Sequence, residues 1–154
     1  MTAYRVCAAI LAIALAHALA PTQAGAAENP SYAAYAQGRY LTALKLAEQE
    51  AAQGSKEAYT LIGEIYSGGL GVAQDYGKAA DAYAKASDLG DANAQLLLGL
   101  MVAEGIGVKK DLRLAAGLFE KAAENGNPAA QYNLALVYLD GKGRPADEAK
   151  AAQW

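Results

Sequence analysis

Residues 94–127 read AQLLLGLMVAEGIGVKKDLRLAAGLFEKAAENGN. The segment ANAQLLLGLMVAE that leads into it (92–104) has helical length and one breaker, Gly99, and is followed by a glycine turn, GIGVKK (105–110). Asp111 then opens a second apolar-periodic run that closes at Gly126, so the unit is helix, turn, helix. Asp111 stands where a carboxylate caps orphan N–H groups and meets the positive end of the helix dipole. Gly126 stands where a left-handed residue ends a helix. Glycine inside a helix costs about 1 kcal/mol relative to alanine, so Gly99 predicts a facing helix that leaves no room for a Cβ.

Working outward, the unit recurs at a spacing of 36 residues. Ala58, Ala94 and Ala130 fall in register, as do Gly63, Gly99 and Ala135; Gly69, Gly105 and Gly141; Gly71, Gly107 and Gly143; Asp75, Asp111 and Asp147; and Ala79, Ala115 and Ala151. Tyr83 pairs with Phe119, Lys85 with Lys121, Ala86 with Ala122 and Gly90 with Gly126. A period of this size marks stacked units, none of which buries its apolar face without a neighbour. The reading is an all-α protein, an α-solenoid of helix-turn-helix repeats over 57–92, 93–128 and 129–154, the last incomplete. Residues 28–56 form a preceding capping pair, with Gln37-Gly38-Arg39-Tyr40 in place of the long glycine turn. Trp154 stands one residue before the position of Tyr83 and Phe119, which predicts an uncapped last unit and self-association through that end.

Composition agrees with helix. Of 154 residues, 54% are hydrophobic and 39 are alanine, while Phe and Trp occur once each. The net charge of −3, with no lysine or arginine run, disfavours nucleic-acid or membrane-surface binding. Residues 1–27 read as a secretory signal peptide: Arg5, the apolar run Val6–Ala20, Pro21, then small residues with Ala-x-Ala at Ala24 and Ala26, cleaved after Ala26 or Ala27. The remaining residues carry 12 bases against 16 acids and no cysteine, since Cys7 leaves with the leader together with His17. The expected destination is the bacterial periplasm or the exterior, with no membrane insertion after cleavage, and the core must hold without disulfides.

The pattern over Ala94–Asn127 and AQYNLALVYLDGKG (130–143) resembles the Sel-like repeat family, relatives of the tetratricopeptide repeats. The resemblance covers about 57–154 and implies a right-handed α-solenoid, with the first helix of each pair lining a concave face. It also implies an adaptor or regulator that binds a protein or peptide in the cell envelope. One exported branch of the family carries a disulfide in each repeat and is linked to penicillin binding or β-lactam hydrolysis. A hydrolase acting on peptidoglycan or β-lactams is therefore the alternative, which the missing cysteines disfavour.

The residues themselves carry little chemistry. Gly69-Leu70-Gly71 and Gly105-Ile106-Gly107 lack the preceding strand, third glycine or Lys-Ser/Thr pair of a nucleotide loop, and they recur with the repeat. Beyond the leader there is no histidine, and none of Ser31, Ser55, Ser67 and Ser87 is followed three residues later by lysine. Glu57 and Glu64 read as a solvated edge and not a metal pair. No catalytic residue, metal or cofactor is assigned. The remaining candidate is a surface: Glu57, Thr60, Leu61 and Glu64; Asn93, Leu96, Leu97 and Leu100; and Ala129, Tyr132, Asn133 and Leu136, an apolar groove with a polar rim. The aromatic stripe at 59, 66, 76, 83, 119 and 138 is read as core packing.

Overall fold

A computed structural model describes residues 29–154. The segment read as a signal peptide, with Cys7 and His17, lies outside the described residues. Those residues form eight helices: α1 (Pro30–Ala36), α2 (Tyr40–Ala52), α3 (Lys56–Gly68), α4 (Tyr76–Asp88), α5 (Ala92–Glu104), α6 (Leu112–Glu124), α7 (Pro128–Asp140) and α8 (Glu148–Ala151). Each packs on its neighbours in the chain, so the helices stack as antiparallel pairs in an α-solenoid.

Capping sets the boundaries. Asp75, Asp111 and Asp147 accept from backbone N–H groups of Lys78, Leu114 and Lys150 at 2.9, 3.0 and 3.0 Å, as their register predicts. The first helices have an equivalent cap series that the sequence reading passed over: Ser55, Asp91 and Asn127, again 36 apart, accept from Ala58, Ala94 and Ala130. Each such cap contributes about 1 kcal/mol. Gly90 and Gly126 take the left-handed conformation after α4 and α6, at φ 81° and 82°.

The glycine turn has two separate tasks. Gly69, Gly105 and Gly141 are left-handed caps of the first helices. Gly107 lies on the start of the previous second helix: a Cβ there would meet Tyr76 Cβ at 2.7 Å and run into the Tyr76 carbonyl, and one on Gly143 would run into the Leu112 carbonyl. The G-x-G spacing is thus a stacking device between units. Gly99 answers to the predicted close approach, since a Cβ would fall 2.6 Å from Phe119 Cε1, and Gly63 faces the Tyr83 ring in the same way.

Three buried clusters run along the stack, one per junction. The first gathers Leu44, Ala47, Leu61 and Ile65; the second Ala79, Tyr83, Ala94 and Met101; the third Leu100, Phe119, Leu134 and Tyr138. Of the aromatic stripe, Tyr83, Phe119 and Tyr138 are buried and Tyr59 and Tyr66 half-buried. Tyr76 departs from the expectation: its ring is exposed, because at the first position of α4 it is the backbone that packs, against Gly107.

Candidate functional site

The candidate surface lies on α3, α5 and α7. On α5, residues 93, 97, 100 and 104 follow one another at three and four residues and share a face, with Leu96 at its edge. The corresponding residues are Glu57, Leu61 and Glu64 on α3, and Ala129, Asn133 and Leu136 on α7.

Three of the expected groove residues belong to the interior. Leu61 is fully buried in the α2–α3 cluster, Thr60 is buried with its hydroxyl donating to the Lys56 carbonyl at 3.2 Å, and Leu100 is 7% exposed among Leu134, Tyr138 and Phe119. The reason is the stack itself: α2 packs on α3 and seals Leu61, while Phe119 of α6 and Leu134 and Tyr138 of α7 gather in one cluster with Leu100. Glu57, Asn93 and Ala129 are exposed, and Glu64, Leu96, Leu97 and Asn133 half-buried. Leu97 leans on the second cluster and Leu96 on the third. Tyr132 and Leu136 are 62% and 38% exposed, and they lie beside Leu139 on the flank of α7 whose equivalent on α5 is covered. The structure therefore divides the candidates into core, a narrow first-helix face, and an open flank on α7.

The two asparagines are already engaged. Asn127 Nδ2 donates to Asn93 Oδ1 at 2.9 Å, and Asn133 Nδ2 to the Ala129 carbonyl at 2.7 Å. Deeper, Gln95 donates to the Ser87 carbonyl and accepts from Asn125 Nδ2 at 3.0 Å, clasping the α4–α5 and α6–α7 turns together. Among the described residues no buried side-chain nitrogen or oxygen lacks a partner, and no group of three or more His, Cys, Asp or Glu is placed to hold a metal ion.

At the N-terminal end of the face, α1 adds a corner that sequence reasoning missed. The Tyr32 hydroxyl donates to the Glu57 carbonyl at 3.2 Å. Burial first, and then the carboxylates of Glu64, Asp91 and Glu57, push the Tyr32 phenol well above its ordinary range; burial and Glu64 do the same to Tyr35. Tyr83 feels Glu64 too, after burial, with the Ser67 hydroxyl acting the opposite way. Glu64 is thus the carboxylate shared by tyrosines from two different helix pairs. A sequence signal was present, since Tyr32 and Tyr35 are three apart on one face of a short helix, but which acids they meet depends on how α1 docks. A shallow depression lined by Arg113, Gly141, Gly143, Arg144 and Pro145 lies elsewhere, at the turn after α7, with Arg144 paired to Glu120 at 2.8 Å.

The Sel1 repeat model matches residues 56–91, 92–127 and 128–154. The chain belongs to the Sel1 repeat family. Sel1 repeat proteins are generally interaction modules and not enzymes, and the fold is the right-handed α-solenoid of the family. Among solved structures, this Sel1 repeat chain is similar to a Sel1 repeat protein from Oxalobacter formigenes, with 31% identity and a TM-score of 0.78 over 80% of this chain and 51% of that one. It is also similar to a protective antigen of uropathogenic Escherichia coli strains that displays an SLR fold, with 36% identity and a TM-score of 0.71 over 73% of this chain and 24% of that one. A third is the cysteine rich protein B of Helicobacter pylori, with 31% identity and a TM-score of 0.57 over 58% of this chain and 68% of that one. The chain thus spans about half the length of the first of these and about a quarter of the second. No curated protein matches it. Unlike a cysteine-rich relative, the described Sel1 repeats contain no cysteine, so caps, glycine stacking and apolar burial hold them together.

No described helix is long and apolar enough to cross a membrane.

Proposed function

We propose that this Sel1 repeat protein is an exported, non-enzymatic adaptor that binds a protein or peptide partner in the cell envelope on its first-helix face. One observation carries the reading: Leu97 remains half-exposed in the middle of that face with Leu96 at its edge, bordered by Asn93, Asn133, Glu57 and Glu64, an apolar centre with a polar rim. Export is supported by the sequence of residues 1–27. A photo-crosslinking residue at position 97 should trap the partner in cells, while the same probe at Asp81, exposed on α4, should not. Crosslinks from 81 alone would overturn the assignment of the face. Mass spectrometry of the exported protein should find an N-terminus at Ala27 or Glu28; an intact Met1 would refute export by cleavage.

A second contact is favoured by the α7 flank, where Tyr132, Leu136 and Leu139 are exposed together. We read this as a self-association surface. Light scattering across a concentration series tests it, with Leu136→Gln and Leu139→Gln expected to leave only monomer.

A further inference from the structure

The partner's chemistry is written in the distribution of charge. The first helices α1, α3, α5 and α7 carry four acids, Glu57, Glu64, Glu104 and Asp140, against a single base, Lys56. The second helices α2, α4, α6 and α8 carry six bases against seven acids and are close to neutral. Asp140 is answered by Lys142 at 3.0 Å. Two of the second-helix cations are held over tyrosine faces at the α3–α4 contact, Lys78 over Tyr66 and Lys85 over Tyr59 at 5.0 and 5.5 Å from the ring centroids.

The acids of the first-helix face are unevenly placed. Glu57 and Glu64 both stand on α3, where the Tyr32 hydroxyl of α1 reaches the Glu57 carbonyl at 3.2 Å, whereas α5 presents Leu97 with Leu96 at its edge and a single acid, Glu104, at its last position. The carboxylates are not grouped as a metal site. Spread along a helix face beside tyrosine rings, they suit a chain of cationic side chains better than one small ion, since ammonium and guanidinium groups gain from both carboxylates and aromatic faces.

Resting on the reading of this face as a binding surface, we propose that it takes a peptide segment in one orientation: lysine or arginine side chains at the corner formed by Tyr32, Glu57 and Glu64, and apolar side chains over Leu97 and Leu96. Complementary charge at one end of an apolar face fixes polarity and speeds encounter, while the apolar part supplies adhesion.

The test uses three fluorescein-labelled peptides that share a leucine-rich half and differ in the other half, which is three lysines, three serines or three glutamates. Anisotropy titrations with the whole exported chain should rank them lysine, serine, glutamate. Raising the salt to about 0.5 M should weaken the lysine peptide selectively. The double variant Glu57→Gln/Glu64→Gln should weaken the lysine peptide about tenfold and leave the serine peptide unchanged, whereas Leu97→Asn should weaken all three. Melting curves confirm that both variants fold; if the double variant does not, the salt dependence and peptide ranking in the unaltered chain decide. Equal binding of the three peptides, with loss on Leu97→Asn, overturns the charge proposal and leaves the binding face standing. No saturable binding of the lysine peptide at low salt overturns the proposal as well, and the crosslinking at position 97 then judges the face independently.

Discussion

Helices α5 and α7 occupy the same place in successive repeats, yet the same flank is interior on one and open on the other. Leu100 is 7% exposed and its counterpart Leu136 is 38%; Leu96 is half-buried, while its counterpart Tyr132 is 62% exposed. Nothing in the local sequence of either helix produces this difference. Leu100 is covered by Leu134 and Tyr138 of α7, while in the described structure no further helix pair lies over Leu136. A residue in a solenoid is therefore core or surface according to its neighbour unit, as expected where stability is the sum of unit and nearest-neighbour terms.

The largest effect should separate these two leucines. Leu100→Ala removes a packed side chain from the third cluster and should lower the free energy of urea unfolding by about 2–4 kcal/mol, while Leu136→Ala should cost below about 1 kcal/mol. Equal losses would mean that the α7 flank is covered in solution, which is the self-association reading. Next come the paired glutamines. Gln95 is buried and bonded to both Ser87 and Asn125, so Gln95→Ala should cost about 1–3 kcal/mol and strand the Asn125 amide. Gln131 makes only the matching bond to the Ala123 carbonyl, at 3.4 Å, and Gln131→Ala should change unfolding by about 0.5 kcal/mol. A similar loss at both positions would break the claim that the clasp between turns is what matters.

How much of this was legible beforehand follows from what repeats and what does not. Asp75, Asp111, Gly99 and Gly126 declared their tasks because each recurs at a fixed spacing and each task is local or nearly so: a cap, a close approach, a left-handed turn. Ser55, Asp91 and Asn127 share the spacing but not the residue type, and the cap series was missed for that reason. The candidate surface was legible only as a set of register positions. Leu61 and Leu97 are equivalent in sequence, but Leu61 is sealed by the α2 side of the stack, whereas Leu97 keeps one edge in solvent.

Two smaller effects sharpen the same contrast. Amides of α8, a four-residue helix, should exchange at least about tenfold faster than those of α6, which lies between α5 and α7. Slow exchange in α8 would show that the α7 end is as well covered as the middle. The Tyr83 phenol, raised by burial, binds its proton more tightly in the folded state than in the unfolded one. Its contribution is present below about pH 10 and lost as pH rises above the unfolded value, so the melting temperature should decline in that range, and less so in Tyr83→Phe.

By itself the sequence determined the repeat, the helix-turn-helix unit and the ends of the helices, because periodicity, caps and glycine conformation act within a turn or two of chain. It determined the family as well, through glycines and small residues at fixed spacing. Only the tertiary structure decided which leucines face water and that Tyr32 and Tyr35 join Glu57 and Glu64 in one corner. It also decided that the second glycine of each turn rests on the helix of the preceding unit. Those outcomes depend on what stacks against each helix, and the interaction of one unit with the next is not a property that either unit's residues carry alone.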